Sequence, residues 1–284
     1  MSALEAAYAH CSALTRLHDK DRWLASLYAP ASARPPLHAL LAFNYEVARL
    51  REILREPLAG QMRLTWWREA IEGERSAEAQ AHPVAMALGD AIQRHALPRQ
   101  FFVNLLQARV FDLYDDPMPT QHDFEAYCGE TCSSLFQMAA LVLGAGDAAL
   151  SAEAAGHAGV AYALTGLMGA LPLTSARGQC FLPRDILEKF GAGAIDVAAR
   201  RDSPALRAAL GALRALVADH LRSAQAAAGA LAATLAPAFL PLALTRLYLS
   251  ALERSAASPF AHLPEPPIWR KQWALWRAAR VDPR

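Results

Sequence analysis

A hard divalent cation is held by several carboxylate oxygens converging from helix faces, and positions i, i+1 and i+4 of a helix share a face. Arg49 lies three residues before Glu52 and Arg55 three after it, which predicts a salt-bridged helix face rather than a metal ligand. Farther along, the whole span from Ala154 to Arg184 contains no Asp or Glu. Asp112, Asp115 and Asp116 are close together, but Pro117 and Pro119 read the last two as a solvated turn. His38, His82, His95, His122 and His157 fall in different segments with no ligand pairing at helical spacing, so they read as ordinary core or surface histidines. Cys128 and Cys132 could share a helix face, but no further ligands stand at matched spacing. With Cys11 and Cys180 they read as reduced thiols of a cytoplasmic protein. There is no Gly-rich phosphate loop and no nucleophile motif. The residues therefore predict no metal site and no cofactor.

The elements that must carry these residues are helical. The chain has 284 residues, 54% apolar and 19% charged, enough for one large globular core. A formal net charge of +1 removes any bulk electrostatic case for nucleic acid. Proline and glycine punctuation predicts helices over residues 3–17, from about 19 to before Pro30, 37–55, 61–73, from Pro83, from Pro98, 124–143, 152–171, from Pro204 toward Gly229, and on to about Ser255. A loop is expected over 174–183. The N-terminal stretch has scattered charges and no apolar run, so no secretory signal is expected. The uncharged stretch Ser223–Thr245 is long enough for a bilayer, but Gly229, Pro237 and Pro241 favour a buried, split helix pair.

Several blocks, in order and over about Trp23 to Ser255, resemble the squalene/phytoene synthases, which join two prenyl diphosphates head to head. Ala42-Phe43 opens a stretch similar to A-F-x-x-x-x-D-D-x-x-D, and Glu125-Ala126-Tyr127-Cys128 is similar to L-x-x-Y-C. Gly159, Ala161, Leu164 and Thr165 resemble G-x-A-x-Q-L-T-N. Arg177-Gly178, Phe181-Leu182-Pro183 and Asp185 resemble R-G-R-x-Y-L-P-x-D, with Phe190-Gly191 closing the block. The resemblance implies an all-α isoprenoid-synthase-type bundle with a central cavity over 1–260, followed by a Pro/Trp-rich basic tail over 261–284. It also implies two Asp-rich, magnesium-binding clusters, because the leaving diphosphate must be neutralised. The first falls on Ala48, Arg49 and Glu52, the second on Ala170, Leu173 and Thr174. The family's Gln and Asn are replaced by Ala163 and Gly166, and a nearby Arg by Tyr45.

The variant residues are similar to a non-catalytic branch of that family, mitochondrial assembly factors of respiratory complex I. Asn44, Glu46 and Ala48 match A-F-N-x-E-x-A; Met62-Arg63 with Trp67 matches M-R-x-x-x-W; Pro83-Val84-Ala85 and Arg94-His95 match P-V-A…R-H. Tyr127, Glu130, Thr131, Ser133, Ser134 and Leu135 match Y-x-E-x-T-x-S-S-L, and 181–186 matches F-L-P-x-D-I. The implied function is a non-enzymatic assembly or scaffold factor, with complex I subunits as partners and a location at the inner-membrane surface. The alternatives are a prenyl-transferring enzyme using magnesium at an altered site, and a carrier of apolar lipid or prenyl chains. Cavity candidates are Phe43, Asn44, Glu46, Tyr127, Tyr162, Met168 and Arg177. The aromatics serve equally well as core, and Asn44 and Glu46 are open between a ligand or client role and a local hydrogen bond. In the tail, Trp269, Trp273 and Trp276 share one helix face, with Arg270, Lys271 and Arg277 away from it. Packing of that stripe onto the domain is favoured over a membrane surface; Arg280 falls on the Trp side.

Overall fold

The computed structural model describes residues 2–54, 56–114, 116–144, 146, 149–261 and 265–280, and no strand occurs among them. The helices start where the chain supplies caps. Ser2 and Glu5 close a capping box on Ala3–His18, the Glu5 amide donating to Ser2 Oγ and the Ser2 amide to Glu5 Oε2. Pro35 and Pro36 fall inside the first turn of Arg34–Ala48, where their missing amides cost no helical bond. That helix does not continue to residue 55 as expected. It ends at Ala48, and a short turn of helix, Leu50–Ile53, restarts after Arg49; Arg55 lies outside the described residues. Pro57–Glu72 follows and is closed by Gly73, whose φ of +96° suits a residue without Cβ.

The middle of the chain is one long helical run with a loosened turn. Gln121–Cys128 passes through a π-helical segment, Gly129–Ser133, into Ser134–Val142. Hydroxyls serve the loosened backbone: Thr131 Oγ1 donates to the Tyr127 carbonyl at 2.7 Å, and Ser134 Oγ to that of Glu130 at 2.7 Å. Ser133 Oγ donates across to the Gly156 carbonyl at 3.0 Å, on the helix Ala149–Ala176. The approach is so close that a Cβ on Gly159 would stand 2.1 Å from Ser133 Oγ.

Ser134–Val142 separates two cores. Leu135, Met138 and Val142 face a core built on Phe43, Trp67 and Phe102, with Phe43 edge-on to both rings at 5.1 and 5.6 Å. Phe136 and Ala140 face the other, where Ala149–Ala176 packs along Pro204–Gly229 through residues such as Leu164, Leu206 and Leu213. Ala149–Ala176 carries Pro172 within it and runs to Ala176, so the loop expected from Thr174 begins later. Thr174 Oγ1 back-bonds to the Ala170 carbonyl and keeps the turn closed. The uncharged stretch is split, as its prolines predict, into the end of Pro204–Gly229, the short Ala233–Leu235 and Ala236–Phe239, and Pro241–Arg254. Ala149–Ala176 and Ala233–Arg254 are long and apolar enough to cross a membrane by length and composition alone; 56% of each apolar window is buried within the fold.

The tail helix, Ile268–Arg280, corrects the expectation that its Trp stripe packs inward. Leu275 packs with Leu24, Leu240 and Leu244. Four residues earlier, on the same face, buried Lys271 donates to Asp21 Oδ1 at 2.8 Å and Glu265 Oε1 at 2.7 Å. Trp269, Trp273 and Trp276 are left outward, 61%, 58% and 38% exposed. The docked face is chosen by acids fixed on other segments, which no periodicity within the tail encodes. Lys271 is thus a buried anchor rather than a surface cation.

Candidate functional site

The break after Ala48, the end of Ala149–Ala176 and the segment around Tyr127 enclose a cleft of about 680 Å³. Ala48 and Glu52 line one side, Leu167, Thr174 and Arg177 the other, and Arg109, Asp112 and Tyr127 a third. Phe111, Met118, Phe124 and Phe181 add apolar wall. Glu52 does not pair with Arg49, as the spacing predicted, but lies 3.6 Å from Arg177. The reason is the helix break: Arg49 sits between two helices and turns back to donate to the Tyr45 hydroxyl at 2.6 Å, over the Tyr45 ring. The pair Glu52–Arg177 therefore bridges the two stretches where the family resemblance puts its acids.

Deeper, Arg109 Nη1 donates to Asp112 Oδ2 and to the Tyr127 hydroxyl, each at 2.8 Å, and Nη2 donates to Asn44 Oδ1 at 3.1 Å. Tyr127 in turn donates to Asp112 Oδ1 at 2.7 Å. Burial opposes the charge on Arg109, but Tyr127 and Asp112 outweigh it and raise its pKa. Burial also raises the Tyr127 pKa well above the usual phenol value against the pull of Arg109, so Tyr127 stays neutral. Asp112 thus has both oxygens engaged. Asp115 lies outside the described residues.

Asn44 and Glu46 are two residues apart on one helix, which sends them to opposite sides. Glu46 Oε2 lies 3.5 Å from His82 Nε2. His82 Nδ1 accepts the Ala85 amide at 3.3 Å as the N-cap of Pro83–Arg94, and its Nε2 lies 3.1 Å from Arg63 Nη2. Burial, with Arg63 and His10, lowers the His82 pKa to about 4. Burial raises the Glu46 pKa, with Arg63 and Arg49 opposing. Trp66 and Trp67 flank the His82 ring, each 5.3 Å away, and Arg63 stacks 4.3 Å over Trp66. Asn44 and Glu46 therefore both make local polar contacts, in different neighbourhoods.

The remaining candidates are dispersed. Phe43 is fully buried in the N-terminal core, away from the cleft. Tyr162 lines a separate cavity of about 390 Å³ with Asp21 and Tyr248, under the Arg22 guanidinium. Met168 is buried beside Leu171 and Leu210 at a cavity of about 30 Å³. Ala170 is half-buried and Leu173 exposed. The lining of the cleft is mixed, with Arg51, Arg109 and Arg177 standing among its apolar side chains. Arg51 and Arg109 stand in no motif; only the i, i+3 spacing of Arg109 and Asp112 signals a pair. His157 and His220 meet Nδ1 to Nδ1 at 2.9 Å from helices far apart in sequence, which intrahelical spacing could not reveal. Among the described residues no group of three or more His, Cys, Asp or Glu side chains is placed to hold a metal ion.

The motif residues of the 181–186 loop have a structural office. The Asp185 carboxylate accepts the Gln121 amide at 3.0 and 3.1 Å, capping Gln121–Cys128, and the Arg184 amide donates to the Met118 carbonyl at 2.9 Å.

The squalene/phytoene synthase family model matches residues 15–277. Complex I assembly factor 6 of Rattus norvegicus is 31% identical over 245 residues, 86% of this chain and 73% of that protein. The Homo sapiens protein of the same name is 29% identical over 246 residues, with the same shares. A 15-cis-phytoene synthase of Synechocystis is 26% identical over 203 residues, 66% of this chain and 59% of that one. Among solved structures, a dehydrosqualene synthase superposes with a TM-score of 0.85 at 18% identity, covering 97% of this chain and 96% of its own.

Proposed function

The chain belongs to the squalene/phytoene synthase family, and from that premise we propose that it is a non-enzymatic assembly factor for respiratory complex I. The observation that carries this reading is the donor set of the cleft. Magnesium requires several hard oxygens around it, and the described lining offers two carboxylates. Asp112 is bound through both oxygens to Arg109 and Tyr127, and Glu52 faces Arg177. Ala48 and Thr174 line the cleft where the family resemblance calls for acids, and neither is a carboxylate. These residues do not fit a magnesium cluster, so no ionisation of a diphosphate is derived from them. The similarity to complex I assembly factor 6 over 86% of the chain supports the assembly role.

The place of action in this reading is a membrane surface. Arg270, Arg277 and Arg280 surround the outward Trp face of Ile268–Arg280, a helix without acids. Tryptophan suits the headgroup level and arginine suits anionic lipid.

The test is deletion of the gene, with complex I and isoprenoid products assayed in the same cells. Assembled complex I is expected to fall while squalene- and phytoene-type products are unchanged. Unaltered complex I would end the assembly reading. Purified protein with magnesium and farnesyl or geranylgeranyl diphosphate should yield no condensed product; chelator-sensitive turnover above the protein-free background would restore the enzyme.

A further inference from the structure

Two imidazoles meet at the junction of three helices. His157 on Ala149–Ala176 and His220 on Pro204–Gly229 approach Nδ1 to Nδ1 at 2.9 Å, their rings tilted 54° to each other. From Gln121–Cys128, Glu125 Oε1 stands 3.7 Å from His220 Nε2, and Gln121 Nε2 donates to that same oxygen at 2.6 Å. A carboxylate only accepts, so the neutral His220 ring keeps its proton on Nε2 and turns an Nδ1 lone pair toward His157. Burial lowers the His220 pKa, and His157 adds to this against the pull of Glu125, which keeps the ring neutral near pH 7. Without a metal the contact is an N–H···N hydrogen bond from His157. Moving the His157 proton to its own Nε2 frees a second Nδ1 lone pair at the same place.

These are the parts of a metal site. Two neutral imidazole nitrogens lie within reach of one ion, and behind one of them stands the carboxylate that fixes the tautomer of a ligating histidine. With metal–nitrogen bonds of about 2.0–2.1 Å, nitrogens 2.9 Å apart subtend roughly 90° at the ion. That is the cis angle of a tetragonal centre; a tetrahedral ion would hold them about 3.3 Å apart. The His220 side chain is 14% exposed and His157 is half-buried, so water reaches the pair to complete the coordination. We infer that His157 and His220 chelate a tetragonal divalent transition metal, copper(II) foremost, through their Nδ1 atoms, with Glu125 as the positioning residue behind His220. Small rotations of the two rings bring both lone pairs onto the ion. The site stands apart from the cleft, and the proposal goes beyond the assembly reading.

The full chain would be titrated calorimetrically with copper(II), nickel(II) and zinc(II), each buffered by glycine to silence weak surface sites. One-to-one binding is expected, tightest for copper, then nickel, then zinc, with a copper EPR spectrum that shows two equatorial nitrogens. His157→Asn and His220→Asn should each weaken copper binding by about tenfold or more, since one imidazole is left. Glu125→Gln keeps the shape and removes the charge, and should weaken binding about tenfold, the lower end of the usual loss for a carboxylate behind a ligating histidine. His122→Asn, at an exposed histidine on the same helix as Glu125, should change nothing. Melting curves in EDTA that match the unsubstituted chain confirm that the variants are folded, and the EPR nitrogen count needs no substitution at all. Absence of a saturable site, zinc bound as tightly as nickel, a copper spectrum without two nitrogens, unchanged binding in both histidine variants, or an equal loss in His122→Asn would overturn the inference.

Discussion

His82 shows how one residue serves two elements. Its Nδ1 caps Pro83–Arg94 while its Nε2 faces Glu46 on Arg34–Ala48, between Trp66 and Trp67. Burial holds its pKa at about 4, and His38, buried against Ser26 Oγ at 2.8 Å, is likewise lowered to about 4 by burial and by Arg34. Between about pH 6.5 and pH 4 the unfolded chain binds protons at both histidines and the folded chain does not, so stability rises with pH across that window. Glu46, with its raised pKa, works in the opposite sense, because the folded chain takes up its proton first on acidification. Two histidines against one carboxylate predict a melting temperature that falls as pH drops from 7 toward 4.5. His82→Asn keeps an N-cap acceptor and removes the titration, so its melting temperature should fall less steeply over the same range. Equal slopes for the two proteins would remove His82 from the effect. Only part of this neighbourhood is legible in the sequence. The resemblance singles out Glu46, but the His82 contact joins residues from separate helices, and spacing along one helix carries no record of it.

At the scale of elements, the π-helical turn and Gly159 act as one joint. The extra residue in Gly129–Ser133 pushes Ser133 toward Ala149–Ala176, and Gly159 leaves room for it. A methyl at 159 would stand 2.4 Å from the Ser133 backbone nitrogen, which cannot swing aside as a side-chain tip can. Gly159→Ala should therefore destabilise the protein by about 1–3 kcal/mol, the usual cost of overpacking. Gly156, one turn earlier, has nothing within 4 Å of its added methyl. Gly156→Ala should be neutral or stabilise by up to about 1 kcal/mol through helix propensity. Chemical denaturation of both variants checks the pair; similar losses at the two sites would dismiss the joint. The sequence announces this region through Tyr127, Thr131, Ser133 and Ser134, which resemble a family block. What those hydroxyls do was not readable, because a 3.6-residue period cannot reveal a five-residue turn. The same limit hid the break at Arg49, which redirects Glu52 to Arg177.

For the whole molecule, proline and glycine punctuation was enough to order the helices, since caps and breakers act locally. The cleft was less accessible. Its arginines at 51 and 109 lie in no motif, and their convergence depends on how separate helices pack. The tail illustrates the same division: its amphipathic spacing was plain, yet the docked face was decided by Asp21 and Glu265 gripping Lys271. With that face fixed, the outward rings of Trp269, Trp273 and Trp276 border an open groove with Leu27 and Tyr28. Arg270 lies 5.3 Å over Trp269 and Arg280 4.1 Å over Trp276, so cations and rings present together. Such a surface should hold an anionic bilayer at its interface, and attraction should weaken with salt. Removing the whole tail would also uncover Leu24, Leu240 and Leu244, so the informative variant is Trp269→Ser with Trp273→Ser, which leaves Lys271 and Leu275 docked. The unsubstituted protein should float with vesicles containing phosphatidylglycerol and float less with purely zwitterionic ones. The double variant should lose most of the flotation while keeping its melting temperature. If neither protein floats, or both float equally, the Trp face is not a membrane contact.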